Sequence, residues 1–506
     1  MVLYTRGVSE HREVEHTYAP GPDAEPPDLT ALPGVADVGD PETVDLCAVY
    51  FDTADLALLR AGVTLRRRTG GGDEGWHLKL PAEVGREEIR WALGSARRAP
   101  PRRLLQRTRA WTRGAPVVPV ATIETQRTER ALRAGDGTVL AELADDRVTA
   151  TAEGSQDPVS WREWELELVA GELDLLEAAD DVMAAAGVSV STVGRKILHV
   201  LGDRVEEQPP PRVRPKGPAR DVLQRRLAEQ VADLLRRDSQ VRGGSAEGVH
   251  QARVACRRLR GALATDRPLV DRTVTDPLRD ELRWLGRELA GARDAKVVRQ
   301  RLAGLLDEEP PGLVGRVERA RLRSTYDGRA RVAQAEVLEV LESDRYFALL
   351  DGLVHLVEEP PWTEVADRRA RDVLPKRVRR DFRRLRRSVA ALEEAPERDL
   401  AMHRARKDAK RLRYAAETLE PVWGKDARRL AKAAKELTAH LGDRQDTVVS
   451  RQHLVEIARE ADAAGESDFT WGRLHAREEA RAEQYDRDFE RVWHRASRKR
   501  LRAWLR

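Results

Sequence analysis

Charged side chains recur at a spacing of two along the first third of this sequence. Glu13 and Glu15 stand beside Thr17, Arg66 beside Arg68, and Lys79 beside His77. Arg86, Glu88 and Arg90 keep the same spacing, as do Thr125, Arg127 and Glu129. Glu142 and Asp146 share one parity, and Glu163, Glu165 and Glu167 complete the series. Guanidinium and ammonium groups neutralise phosphate oxygens, arginine with a forked geometry that matches them. Neighbouring carboxylates hold Mg2+ or Mn2+, which bridge phosphates and stabilise the charge of phosphoryl transfer. Together these groups suit a ligand made of several linked phosphates, such as inorganic polyphosphate.

A strand is the element that puts residues two apart on one face. The uncharged face is clearest in Trp161–Val169, where Trp164, Leu166 and Leu168 oppose the three glutamates. Acidic faces occur near both ends of this region and basic faces in its middle, so a sheet closed into a barrel brings both inside. An open sheet with a solvated charged face is the plainer alternative.

A second set of cations has helical spacing. His250, Arg253, Arg257 and Arg260 fall within about a quarter of a helix circumference, opposite Ala252, Cys256, Leu259 and Leu263. The pattern returns as His403, Arg406, Lys410 and Arg413, opposite Ala405, Ala409, Leu412 and Ala416. Each copy precedes a matching run: Leu285, Leu289, Asp294, Val297 and Leu302 in the first, Leu437, Leu441, Asp446, Val449 and Leu454 in the second. An internal repeat of this kind predicts two similar helical bundles. Two basic stripes facing one another make a groove for a polyanion, bound through charge-assisted bonds and counterion release. Asp294 and Asp446 are placed to orient the arginines, and the segment Lys376–Arg387 is placed to extend the surface. A solvated helix face is the ordinary alternative for either copy alone.

The two patterns meet at Glu206–Pro218, where five prolines forbid helix and favour an extended linker. The expected layout is a strand-rich α+β domain at 1–203, a linker at 204–217 and an all-α domain at 218–506. A length of 506 residues also asks for more than one core. Charged residues are 35% of the chain but the net charge is only +4, so clustering decides the partners. The two cysteines, Cys47 and Cys256, exclude a disulfide framework and a cysteine zinc site, and fit a reducing compartment. No apolar run suggests a leader or membrane span, so a soluble cytoplasmic protein is expected, with polyphosphate deposits as a place to concentrate. Nucleic acid is the weaker partner, because few aromatics interleave with the basic stripes. Oligomeric state is not legible.

In order, Glu13-x-Glu15, Tyr50-Phe-Asp-Thr53, Arg66-x-Arg68, Trp76-x-Leu-Lys79, Arg127, Asp146, Trp161–Leu168 and Lys196 resemble the CYTH domain, the triphosphate tunnel metalloenzymes. The resemblance implies an eight-stranded antiparallel β-tunnel that binds triphosphate with a divalent metal. Family activities include hydrolysis of tripolyphosphate or thiamine triphosphate and adenylate cyclisation. It assigns Glu13, Glu15, Asp146 and two of Glu163, Glu165 and Glu167 to the metal side, Glu13 and Glu15 being catalytic. It assigns Arg66, Arg68, Lys79, Arg90, Arg127 and Lys196 to the phosphates. One departure stands out: the family opens on Glu-x-Glu-x-Lys, and here Thr17 replaces the lysine thought to orient or deprotonate water. His16 should point to the other face. Binding survives such a change more readily than turnover, so a binding protein without turnover stands beside the triphosphatase. The repeated helices resemble the CHAD domain, implying two pseudo-symmetric four-helix bundles with a polyphosphate-binding surface.

Overall fold

The structure, a computed structural model, describes residues 8–82, 84–94, 98–205 and 211–505, without the side chains of 292–296. Residues 206–210 of the expected linker, and the side chain of Asp294, lie outside that set. Two compact units divide between residues 208 and 209.

The first unit is built on strands β1 (Val8–Glu13), β2 (Glu15–Ala19), β3 (Asp37–Val38), β4 (Glu42–Asp52), β5 (Thr64–Thr69) and β6 (Gly75–Pro81). β7 (Arg86–Trp91), β8 (Val118–Arg133), β9 (Val139–Ala152), β10 (Val159–Leu168) and β11 (Ser189–Val190) complete them. Helices α1 (Ala57–Arg60), α2 (Arg102–Thr112), α3 (Leu173–Ala185) and α4 (Leu198–Leu201) are interspersed. The ladder runs β1-β7-β6-β5-β4-β8-β9-β10-β2-β11, and its pairings are antiparallel. β1 and β2 lie at opposite ends of the main ladder yet are separated only by Val14, whose carbonyl accepts from Leu168 N at 2.9 Å. The ends of the sheet therefore meet. Counting β1 and β2 as one bent strand, eight strands surround a lumen, as the resemblance implies.

Closure reverses the usual sense of the alternation. Trp164 and Leu166 are fully buried on the outside of the sheet, packed with Tyr18 and Leu143 against Leu175, Leu176, Ala179 and Met183 of α3. The glutamates between them face inward. One part of the lumen is apolar: Ala48, Tyr50, Ile123, Val148 and Ala150 pack there with Ile197 and Leu201, around α4. The remaining part is left to the charged side chains. The β5–β6 hairpin depends on Gly70, whose φ is +83° and whose Cβ would lie 2.1 Å from the Asp45 carbonyl oxygen.

The second unit is helical: α5 (Ala219–Arg242), α6 (Ala246–Thr265), α7 (Arg272–Glu288), α8 (Ala290–Asp307), α9 (Arg316–Leu341) and α10 (Asp344–Glu358). α11 (Ala370–Ala390), α12 (Arg398–Thr418), α13 (Glu420–Ala463) and α14 (Phe469–Ala496) follow, with a terminal 3-10 turn at Lys499–Leu505. α5, α6, α7–α8 and α9 answer to α11, α12, α13 and α14. The repeat is marked where each first helix begins: Ala219 N donates to Arg368 O, and Ala370 N to Gly217 O, both at 2.8 Å. α10 has no counterpart among these, and the copies differ again along the matched leucines. Leu437–Leu454 lies within the single helix α13, whereas its counterpart breaks at Leu289, beside Gly291, which stands where the second copy has Asp443. Glycine is among the poorest helix formers, which favours a break there. A core of Leu302, Leu305, Leu322, Tyr326, Leu454, Ile457 and Trp471 joins the copies through α8, α9, α13 and α14.

Candidate functional site

Register across the strands sets the lumen chemistry. Arg127, Asp146 and Glu163 stand opposite one another across β8, β9 and β10. Glu15 stands opposite Glu167, and Lys79 opposite Glu88. Directly opposed side chains have Cβ atoms only about 5 Å apart, so each pair must interact. The result is one cavity of about 260 Å3 that Glu13, Glu15, Glu163, Glu165 and Glu167 share with Arg66, Arg68, Lys79, Arg90, Arg127 and Lys196. Asp146 is fully buried against it. The residues that the resemblance assigns to metal and phosphate are thus brought to this one place.

The carboxylates form two triads, Glu13–Glu15–Glu167 and Asp146–Glu163–Glu165, each with one oxygen per residue within 4.8 Å of the others. Their electrostatics differ. In the second triad Arg127 grips Asp146 with two bonds, at 2.7 and 2.6 Å, and reaches Glu165 at 2.5 Å. Lys196 lies 2.9 Å from Asp146 and 2.5 Å from both Glu163 and Glu165. Burial opposes the charge on Glu165, but Lys196 and Arg127 outweigh it and hold the carboxyl well below its ordinary range. Burial raises Glu163, with Lys196 offsetting part of the rise.

The first triad has less compensation. Lys79 bonds Glu13, but burial and then Glu165 push Glu15 up to about 7, and burial with Glu13 and Glu15 pushes Glu167 up to about 8. Glu13 Oε2 is buried without a hydrogen-bond partner. Three crowded carboxylates, one with an orphaned oxygen, fit a hard divalent cation.

The cations are also under tension. Arg66 is held by Tyr50 Oη at 3.4 Å; burial opposes its charge, and Tyr50 and Glu88 more than restore it. Arg68 reaches Asp73 at 3.0 Å, yet burial and neighbouring Arg66 lower it to about 10. Arg68, whose charge its surroundings do not fully offset, is prepared for an anion. Glu88 is the hub behind them: fully buried, it takes His77 at 2.8 Å, Arg90 at 2.6 Å and His11 at 3.0 Å. Glu88 and Arg86, another lining residue, were visible in the alternation but carried no assigned role. Asp73 sits in the glycine-rich β5–β6 hairpin, where no periodicity marks it. Asp52, within the Tyr50–Thr53 motif, serves the turn instead, accepting from Thr53 N, Leu58 N and Leu59 N. Thr17 lines the cavity beside Glu15. His16 faces outward, 2.9 Å from Asp180 of α3.

In the helical unit, the apolar stripes of α6 and α12 are buried, and these two helices pack against each other. The basic stripes converge at their middle. Burial lowers Lys410 to about 7, helped by Arg406 on its own helix and Arg257 on the other, with Asp446 opposing. Arg253 also adds to that field. Arg406 is lowered by burial, with Asp446 opposing, and lies against Gly442 of α13. The stripe ends diverge. Arg260 is depressed by burial and by Arg283 and Arg279 of α7, and Arg413 is tied to Glu417 at 2.6 Å. His403 Nδ1 pairs with Gln445 at 3.1 Å, whereas His250 Nδ1 is buried without a partner. Lys376, Arg380, Arg383, Arg384, Arg386 and Arg387 of α11 are exposed.

The fold and the two charged surfaces define a tunnel domain followed by a duplicated helical domain, and comparison agrees. The CYTH domain family matches residues 11–189 and the CHAD domain family matches 225–455, so this chain belongs to both. Uncharacterized proteins from two Mycobacterium tuberculosis strains, CDC 1551 and H37Rv, are each 37% identical over 492 residues, 94% of this chain and 94% of theirs. Among solved structures, PptA from Streptomyces chartreusis has 23% identity and a TM-score of 0.47, over 55% of this chain and 99% of its own. HpAC1 from Hippeastrum, described as an adenylyl cyclase candidate with a dominant triphosphatase activity, has 13% identity and a TM-score of 0.23, over 40% and 97%. Among the described residues no helix is long and apolar enough to cross a membrane.

Proposed function

We propose that this chain binds inorganic polyphosphate through its helical unit and receives a triphosphate-length segment in its tunnel. The observation that carries the reading is the enclosure of Arg66, Arg68, Lys79, Arg90, Arg127 and Lys196 with two carboxylate triads in one cavity of about 260 Å3. Arg66 and Arg68 bind phosphoryl oxygens, and Lys79 and Arg90 extend that contact along β6 and β7. Arg127 and Lys196 reach the same oxygens by exchanging carboxylate partners for phosphate. Glu13, Glu15 and Glu167 hold Mg2+ or Mn2+. When bound, such an ion neutralises phosphate charge and activates water. The reaction class is hydrolysis of a phosphoanhydride bond, in which a water oxygen attacks the terminal phosphorus and the bridging P–O bond breaks. In the helical unit, Arg253, Arg257, Arg406 and Lys410 form the central grip, with His250, His403, Arg260 and Arg413 flanking it.

Thr17 favours a second reading, binding without turnover. Its hydroxyl lines the cavity beside Glu15 but carries no charge and is no base near neutral pH. A phosphate-release assay on the purified chain separates the two. It compares tripolyphosphate, long-chain polyphosphate, ATP and thiamine triphosphate with Mg2+ or Mn2+. Metal-dependent release from tripolyphosphate supports the enzyme, and Thr17→Lys should then raise the rate. Binding without release assigns a targeting or sensing role, with residence at polyphosphate deposits in the cytoplasm. Failure to bind any of the four ligands refutes both readings.

A further inference from the structure

The last turn of α14, the 3-10 turn that follows and the stretch of α13 from Arg429 to Glu436 build a second basic groove. Its cavity is about 520 Å3, lined by Arg429, Lys432, Arg495, Arg498 and Arg500 with a single acid, Glu436. The terminal turn that carries part of it is pinned. Leu505 is buried, Trp504 packs on Trp423 with ring centroids 5.6 Å apart, and the Arg502 guanidinium lies 3.9 Å over the Phe382 ring. The outward cations are therefore held in place by inward aromatic contacts and do not hang from a frayed end.

These cations also lack the compensation seen elsewhere in the unit. Arg301 has Glu478 at 2.7 Å, Arg345 has Glu281 at 2.7 Å and Arg384 has Asp408 at 2.7 Å. Among the described residues Lys432, Arg495, Arg498 and Arg500 have no carboxylate partner within salt-bridge distance, and Arg429 reaches only Asp426, at 3.7 Å. Unpaired cations that converge on a concave surface raise the local concentration of a polyanion.

The groove is separate from the central grip. Arg429 and Asp446 are seventeen positions apart on α13, about 25 Å along a helix at 1.5 Å per residue. A tripolyphosphate is too short to touch both sites, whereas a long chain reaches both. The nearby rings are paired with one another, Trp504 with Trp423 and Trp493 with Phe382, which leaves less ring face for stacking bases. We infer that this C-terminal groove is a second contact for linear phosphate polyanions without bases, one that engages long chains and ignores short ones. The inference rests on the polyphosphate reading above.

The test uses the full chain and a variant carrying Lys432→Gln, Arg495→Gln, Arg498→Gln and Arg500→Gln. Long-chain polyphosphate, tripolyphosphate and single-stranded DNA are titrated at several salt concentrations, with thermal unfolding as the check on folding. The variant should bind long-chain polyphosphate at least about tenfold more weakly, with a log K against log salt slope shallower by about 3. Tripolyphosphate affinity should be unchanged. Unchanged long-chain affinity and slope would overturn the inference while leaving the polyphosphate reading intact. A greater loss for DNA than for polyphosphate would assign the groove to nucleic acid and also overturn it. A parent chain that binds no polyphosphate sinks both proposals. Should the fourfold variant unfold, Arg498→Gln alone should still reduce the slope by nearly one, and no reduction would count against the groove.

Discussion

Glu15 and Glu167 make the tunnel sensitive to pH in a direction the burial fixes. Both carboxyls ionise at higher pH than the ordinary 4.5, at about 7 and about 8. In the metal-free protein they stay protonated where the unfolded chain has already lost those protons. Their contribution to stability therefore falls as pH rises from about 4.5 to about 8. A divalent cation must displace the same protons. Apparent Mn2+ affinity, measured by calorimetry, should climb at least about tenfold from pH 6 to pH 8. A flat profile would mean that Glu15 and Glu167 do not hold the ion. At this scale the sequence was most legible where strand alternation marks a face, as at Arg66, Arg68 and Glu163–Glu167. It was least legible where a loop or a shared partner decides. Asp73 enters from a hairpin, and the contrast between the triads arises because Lys196, far along the chain, inserts into one and not the other.

The helices α6 and α12 work as a pair: Gly261 lies beside the Tyr414 ring, and Arg411 donates to Ala264 O at 3.0 Å. Ala405, Ala409 and Ala416 are fully buried on the packed side of α12, so Ala409→Leu should overfill that side and cost about 1–3 kcal/mol, read as a fall in the thermal midpoint. Burial first, then Arg406 on the same helix and Arg257 and Arg253 from α6, bring the pKa of the Lys410 ammonium proton down to about 7. A bound polyanion restores that proton. Polyphosphate affinity of the parent chain should therefore weaken as pH rises from 6 to 8, and Lys410→Arg, which stays charged, should remove most of this loss. An identical pH profile in the variant would place Lys410 outside the binding surface. The two stripes were legible because a period of 3.6 separates basic from apolar faces in both copies. Their ends were not. Arg260 and Arg413 repeat perfectly in sequence, yet their surroundings come from α7 and from Glu417, which the repeat does not encode. The break at Leu289 is likewise unmarked, since the matched leucines recur at the same spacing in both copies.

Over the whole chain, the change of period near the prolines predicts a strand-rich and a helical domain, and two compact units divide between 208 and 209. The eight-stranded count was carried by the resemblance. The closing pairs, β1 with β7 and β2 with β10, depend on a bend at Val14 that no local signal announces. On the proposed reading, cations scattered through the sequence gather on two surfaces suited to linked phosphates, one in the tunnel and one on the helical unit. The direct measurement is calorimetric titration of the full chain with tripolyphosphate and with long-chain polyphosphate, in Mg2+, against two double variants. Arg66→Ala with Arg68→Ala should lose at least about a hundredfold in tripolyphosphate affinity, from two charged hydrogen bonds at about 1.5–3 kcal/mol each. Arg257→Gln with Arg406→Gln should spare that site and weaken long-chain binding. Saturable binding that neither double variant changes, or no binding at all by the parent chain, would contradict the account.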